Sequence, residues 1–239
     1  MSTFSPVPPG GRAALALFAD APLTMRLHLQ ARWRTCPLSE VAARVPTHGA
    51  VLDIGCGHGL FASYLALDAT NRSVVGVDLD DRKLADATRI VDRVRARGGS
   101  LTLQVAPGGA VPDGPWDAIT IVDVLYLLPA AAQLDLVERA ATQLTPGGRL
   151  LVKEMAPTPA WKARWNRVQE TLAVKVVGFT ASESAGFSFT APAELASWMD
   201  ACGLGVSEVP LDRGYLHPHH LVVGDRPGPD DSVDPPRPV

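Results

Sequence analysis

The sequence predicts an α/β fold in which a mostly parallel sheet carries helices on both faces. Three observations lead there. Residues 50 to 60, Ala-Val-Leu-Asp-Ile-Gly-Cys-Gly-His-Gly-Leu, run from an apolar strand into a turn with glycine at every second position. A second apolar strand, Ser73 to Val77, ends at Asp78 about twenty residues beyond that turn. Strand and helix periodicities then alternate along the chain, as crossover connections between parallel strands require.

Length and charge narrow the classes. A chain of 239 residues with 46% hydrophobic side chains, and a mean hydropathy of +0.10, suits one domain with one sizeable core. The formal charge of −3 provides no basic field for a long polyanion, so nucleic acid is not an expected partner. Cys36, Cys56 and Cys202 are odd in number and widely spaced, with no zinc-ligand pattern, which fits a reducing cytoplasm. No signal peptide and no apolar run long enough for stable membrane insertion is visible.

Residues 1 to 12 hold so much proline and glycine that a mobile arm is expected, with the domain proper at 13 to 223. From Ala13 to Val45 the pattern is helical. Leu23, Leu27, Gln30 and Trp33 can share one face, and Leu38, Val41, Ala42 and Val45 form a stripe stopped by Pro46. Arg26, Arg32 and Arg34 cluster there with His28. Such a group can hold an anion, but charge runs usually lie in water, so a solvated face is the expectation.

The glycine turn is the chemical centre. Gly55, Gly57 and Gly59 remove side chains that would hold a ligand off the backbone. Their G-x-G-x-G spacing departs from the dinucleotide pattern G-x-G-x-x-G. Asp53, at the strand's end, would repel a pyrophosphate yet can organise an ammonium group. S-adenosylmethionine carries an ammonium and no phosphate. Asp78 stands where an acid characteristically binds ribose hydroxyls.

Further along, His58 to Leu67 and residues 81 to 97 read as helices, the first with Leu60, Phe61, Tyr64 and Leu65 inward. Leu101 to Val105 is the third strand, Ala118 to Val122 the fourth, residues 130 to 143 a helix, and Arg149 to Lys153 the fifth strand. Trp161, Trp165, Val168, Leu172 and Val176 fall at helical spacing, a stripe suited to core packing, to a cap over an apolar pocket, or to peripheral membrane contact. Gly178 to Thr190 reads as a loop or lid. A helix from Ala191 to Ala201 precedes a last strand pair, Gly205 to Pro210 and Tyr215 to Val223. Residues 224 to 239, rich in proline and aspartate, are expected to be disordered.

Four stretches in order carry a family likeness: Val51 to Gly59, Val74 to Asp80, Asp117 to Pro129 and Leu144 to Met155. Together they resemble the motifs of the class I S-adenosylmethionine-dependent methyltransferases of the small-molecule type. That resemblance implies a Rossmann-like seven-stranded sheet, antiparallel only at its last strand, with a helical cap from the N-terminus and from the segment after strand five. It implies cofactor contacts from Asp53, Gly55, Cys56, Gly57, Asp78, Leu79, Asp123 and Val124. Many members carry an acid after the third strand for the adenine amino group. None stands between Ser100 and Val111, so backbone and apolar contacts, or Asp113, must serve.

The same resemblance shapes the expected chemistry. The chain reads Asp-Val-Leu-Tyr where enzymes acting on planar nitrogens show Asn-Pro-Pro-Tyr, and Lys153-Glu154-Met155 lacks the Asp-Asn pair of metal-dependent catechol members. Metal-independent methyl transfer is therefore expected, with no metal ligands assigned. O-methylation of an apolar small molecule, a polyketide or lipid-like metabolite, is the favoured activity. N- or C-methylation would use the same motifs. A catalytically inactive cofactor-binding regulatory protein is an alternative, and a nicotinamide-dependent dehydrogenase a third. An antiparallel last strand would bring Tyr215, His217 and His219 to the ligand-binding edge. His219 and then His217 are the candidate general bases, with Tyr126 orienting the acceptor.

Overall fold

The computed structural model describes residues 7–155, 188–212, 215 and 218–229. Seven strands form a single sheet in the order β3-β2-β1-β4-β5-β7-β6. They are β1 (His48–Ile54), β2 (Asn71–Asp78), β3 (Ser100–Val105), β4 (Trp116–Val122), β5 (Leu144–Met155), β6 (Gly205–Pro210) and β7 (His219–Asp225). Strand β7 runs antiparallel to both of its neighbours, and the other pairings are parallel. Chain order reverses between β1 and β4, which opens a crevice at their carboxyl ends, the place where such sheets bind ligands.

Apolar strand faces are buried on both sides. On one face, α1 (Pro9–Ala16), α2 (Leu23–Thr35), α3 (Leu38–Ala42), α4 (Leu60–Asp68) and α5 (Ala87–Arg95) contribute Ala14, Trp33, Val41, Leu65 and Ile90 to a core shared with Val51 and Val74. On the other, α6 (Ala130–Thr142) and α7 (Pro192–Ala201) supply Leu136, Val137, Leu195 and Met199 against Ile119, Leu150 and Val222. Alternate residues of one buried strand thus enter different cores.

The N-terminal region departs from its expected form. Residues 9 to 12 belong to α1 rather than to an arm, because Pro9 opens the helix and the glycines permit close packing. A Cβ on Gly11 would lie 2.2 Å from the Trp33 ring, and one on Gly10 would lie 2.9 Å from Tyr64. In α2 the buried residues are Leu29 and Trp33, while Leu23 and Leu27 are exposed, so the face predicted for that helix is rotated. The stripe Leu38, Val41, Ala42 and Val45 is buried as expected.

Other boundaries move for local reasons. The segment predicted as one helix over 81 to 97 divides into a 3-10 turn, Asp81–Leu84, and α5, with Asp80 capping the turn through Arg82 N–H. Strand β7 begins at His219, later than predicted, and includes Gly224 and Asp225. Arg226 follows it and donates to the carbonyls of Thr142 and Leu144. The tryptophan stripe at 161 to 176 and most of the proposed lid lie outside the described residues.

Arg72 fixes the back of the sheet. Its guanidinium, in a residue only 2% exposed, donates to the carbonyls of Pro46 (2.7 Å), Val45 (2.8 Å) and Leu65 (3.1 Å). One buried cation thereby ties the turn after α3 to α4 and β2, with its charge met by carbonyl dipoles and by the Asp68 carboxylate 3.5 Å away. Nothing in the spacing of the sequence announces this role.

Candidate active site

The crevice between β1 and β4 is a cavity of about 590 Å³, within the size range of small-ligand pockets. Its floor is the turn after β1. Gly55 and Cys56 donate backbone N–H groups to Val77 O at 2.8 and 2.9 Å, which holds the turn against β2. At Gly55 a Cβ would meet Val124 Cγ2 at 2.3 Å, whereas at Gly57 (φ 57°) it would enter open space. The first glycine is therefore required by packing, and the second clears room in the cavity.

Two carboxylates flank this turn. Asp78 Oδ2 accepts from Gly57 N at 2.8 Å, its Oδ1 accepts from Asp80 N at 2.9 Å, and Lys83 Nζ lies 3.7 Å away. Asp53 Oδ1 accepts from the Thr120 hydroxyl at 2.7 Å, and its Oδ2 is buried without a hydrogen-bond partner. Burial pushes the Asp53 carboxyl up to about 7, against the opposing pull of Thr120 and Arg32. An orphaned buried carboxylate oxygen costs stability, and a cationic ligand group would satisfy it.

At the end of β4 a charged network forms. Asp123 adopts φ 57°, a left-handed conformation that aspartate tolerates better than most residues. Its Oδ1 lies 2.5 Å from Lys153 Nζ, and its Oδ2 lies 3.3 Å from Arg32 Nη1 and 3.4 Å from Cys36 Sγ. Burial raises the Asp123 carboxyl, but Lys153 and Arg32 outweigh it and hold it below the ordinary carboxylate range. Next to it, Glu154 Oε1 accepts from Val124 N (3.0 Å) and Leu125 N (2.8 Å), fixing the backbone that presents Tyr126. Burial, reinforced by Asp123, pushes Glu154 up to about 8.

The remaining walls are mainly apolar. Leu29, Leu38, Leu60, Phe61, Leu128 and Leu136 line the cavity, together with His28, Arg32, His58 and Tyr126. The Tyr126 ring stacks on Phe189 at 5.5 Å between centroids, and Gln133 secures that contact by donating to the carbonyls of Leu128 and Ser188. Ala106, Gly108, Gly109 and Ala110 after β3 also line the cavity. Asp113 is exposed and does not contribute, leaving the backbone and apolar alternative on that side.

All eight residues expected to contact a cofactor lie on or beside this crevice. Asp53, Gly55, Cys56, Gly57, Asp78, Leu79, Asp123 and Val124 line it directly. The histidine expectation fares differently. His219 is only 4% exposed, its Nε2 lies 2.8 Å from Thr35 O, and it is not among the cavity-lining residues. It joins β7 to the end of α2, because its place opposite Met155 turns it toward the α2 face. Tyr215 packs edge-on against it at 5.4 Å, and His217 lies outside the described residues.

The cluster on α2 divides: of the two readings open to it, a solvated face and an anion-holding group, His28 and Arg32 depart from the first, since both line the cavity one helical turn apart. Burial, then the charges of His58, Arg32 and Lys83, lowers the His28 pKa. Lys153 and Glu154 follow the apolar run Leu150–Val152 near the end of β5, a signal visible in the sequence. Their partners Asp123 and Val124 follow directly after β4, which only pairing with β5 brings adjacent.

Comparison with known proteins agrees with this geometry. Residues 25–209 match a family described as a methyltransferase domain. The chain is 30% identical over 187 residues to a ubiquinone biosynthesis O-methyltransferase of Xylella fastidiosa, covering 72% of this chain and 68% of that protein. It is 30% identical over 214 residues to a demethylmenaquinone methyltransferase of Thermus thermophilus, covering 82% and 90% respectively. The fold matches that of magnesium protoporphyrin IX methyltransferase from Synechocystis with bound SAH, with a TM-score of 0.62 and 16% identity over 92% of this chain and 95% of the other.

Proposed function

The chain belongs to the S-adenosylmethionine-dependent methyltransferase family, and from that premise we propose that it methylates a hydroxyl group on a largely apolar aromatic small molecule. Its cofactor is S-adenosylmethionine. The observation that carries the site assignment is one cavity holding the orphaned Asp53 Oδ2, the open space at Gly57 and the Asp78 carboxylate.

These residues fit the cofactor group by group. Asp53 Oδ2 would accept from its ammonium, and Asp78, already oriented by two backbone N–H donors, would accept from ribose hydroxyls. The backbone and small side chains of 106 and 108–110 would flank the base. The cofactor supplies an electrophilic methyl group on a positively charged sulfur. The chain's work is then to align the acceptor oxygen, to exclude water and to receive a proton.

Leu29, Leu38, Leu128 and Tyr126 give the acceptor an apolar wall and shed water from the site. Alignment of two reactants in such a cavity lowers a barrier by on the order of several kcal/mol. With His219 turned to the Thr35 carbonyl, His28 is the better proton acceptor: it lines the cavity, and its lowered pKa keeps its imidazole neutral. Tyr126 is assigned the acceptor's ring, beside its stacking partner Phe189.

The named substrates of the two relatives favour a quinol-type or related hydroxyaryl acceptor over a nitrogen base. A second reading, transfer to a demethylated quinone ring rather than to its hydroxyl, rests on the demethylmenaquinone relative, 90% of whose length is covered.

Calorimetric titration of S-adenosylmethionine and S-adenosylhomocysteine into wild type and Asp78→Ala tests the site. Saturable binding that the variant loses is expected, with NADH inert. Mass spectrometry after incubation with catechol and 1,4-dihydroxynaphthalene then separates O- from C-methylated products. NADH binding alone would overturn the reading. Cofactor binding without methylated product from any hydroxyaryl compound would favour a regulatory protein instead.

A further inference from the structure

The cavity lining carries charges of both signs. Asp53 and Asp78 lie at the glycine-turn end, and Arg32 lies at the end of β4 beside Tyr126 and Asp123. Lys153, with no exposed surface, already pairs with Asp123 at 2.5 Å. Arg32 is thus a second cation on a carboxylate that has one. It contacts Asp123 Oδ2 through Nη1 and donates to Val122 O through Nη2 at 3.2 Å. A guanidinium has five N–H donors, so most of its capacity remains, and its side chain keeps 36% of its surface open.

The surrounding groups do not cancel that charge. Besides Asp123, the groups facing this end are Cys36, Tyr126, Glu154 and His28, and Asp53, whose carboxyl burial pushes up to about 7, also acts on Arg32. Burial pushes Cys36 up to about 11 and Glu154 up to about 8, so both are neutral at pH 7, and burial also raises Tyr126. The neutral His28 stands one helical turn away. Because Lys153 already balances Asp123 at 2.5 Å, Arg32 brings a second positive charge to this part of the cavity wall.

Resting on the methyltransferase reading, we infer that Arg32 binds the acceptor's nucleophilic oxygen as an oxyanion, so that the acceptor class is acidic hydroxyls of the phenol, catechol or enol type rather than alcohols or amines. An amine would meet repulsion here, and an aliphatic alcohol would gain too little to ionise. Arg32 is well suited to the task, because its charge is permanent and its hydrogen-bonding plane is fixed by Asp123 and Val122. The acceptor proton passes to His28 or solvent, the oxygen lone pair forms the new C–O bond, and the donor's C–S bond breaks with its electron pair left on sulfur.

The test uses 4-nitrophenol, whose absorbance reports its ionisation, added to the full-length protein saturated with S-adenosylhomocysteine. The bound probe is expected to titrate about 1–3 pH units below the free one in wild type, from a cation in direct contact. Arg32→Gln should abolish that shift, and Arg32→Lys should restore part of it. Asp123 keeps Lys153 in these variants, and unchanged S-adenosylhomocysteine binding will show that the fold is intact. A wild-type probe that fails to bind, binds as the neutral phenol, or keeps its shift in Arg32→Gln overturns the inference while leaving the functional reading in place. Absence of saturable S-adenosylhomocysteine binding in wild type would remove the functional reading and this inference with it.

Discussion

Lys153 Nζ lies 2.5 Å from Asp123 Oδ1 at the carboxyl edge of the sheet, with side-chain exposures of 0% and 7%. Main-chain bonding from Asp123 N to Lys153 O at 2.9 Å doubles the link between β4 and β5. The pair therefore sets the position of the chain that leads to Tyr126. Removing one member of a buried pair strands the other, which costs more than the pair itself contributes. Lys153→Met is expected to lower unfolding stability by about 3–5 kcal/mol, read from urea denaturation. A loss below about 1 kcal/mol would mean that Arg32 alone neutralises Asp123.

Asp53 links stability, binding and pH. The unfolded carboxyl titrates near 3.8 and the folded one near 7, so the native state holds more protons between those values. The contribution of this group to stability is therefore greatest below the unfolded pKa and declines as pH rises through about 4 to 7. An ammonium ligand favours the ionised form, so binding should release a proton. Calorimetry of S-adenosylmethionine binding at about pH 6, in buffers of different ionisation enthalpy, is expected to show that release in wild type and not in Asp53→Asn. Equal heats in both buffers for wild type would contradict the assignment of Oδ2 to the ammonium.

The glycines of the turn should separate by role. Gly55→Ala would place a Cβ 2.3 Å from Val124 Cγ2, so its main expected effect is a lowered melting temperature. Gly57→Val has open space at the Cβ but must hold φ near 57°, a strain of about 1–2 kcal/mol, and its side chain would enter the cavity. It should weaken cofactor affinity at least about tenfold while the protein remains folded. Comparison of melting curves with titrations for both variants checks this, and an unaltered affinity in Gly57→Val would exclude that face of the turn from the ligand site.

His219 is expected to be structural. Its bond to Thr35 O holds β7 to the end of α2, so His219→Ala should lower the melting temperature and leave the pH profile of kcat unchanged. His28→Gln should do the opposite, depressing kcat with S-adenosylhomocysteine binding retained. Loss of kcat in His219→Ala with stability and cofactor affinity unchanged would return that histidine to the role of base.

Much of the fold was legible because its signals are local. Val51 to Ile54 must be buried on both faces, the glycines that follow must turn, and Asp78 must end the next strand wherever these elements pack. The cofactor side of the cavity is built from such consecutive segments, which is why Asp53, Gly57 and Asp78 were accessible to sequence reasoning. The wall at the end of β4 is different. Arg32, Asp123 and Lys153 lie far apart in the chain and meet only when β4 pairs with β5 and α2 crosses their ends.

Periodicity identified α2 as a helix but misplaced its buried face, since Leu23 and Leu27 look no less apolar than Leu29. The deciding contact is Gly11 on Trp33, which requires α1 to have formed and docked. The direction of His219 was likewise set by its register opposite Met155, a property of two strands rather than of one. Sequence by itself determined the strand and helix order, the glycine turn and the acids that frame it, because each depends on neighbours in the chain. Tertiary structure alone decided that Arg32 meets the Asp123–Lys153 pair at the cavity wall and that His219 turns to the Thr35 carbonyl instead, because both follow from long-range pairing that no local pattern encodes.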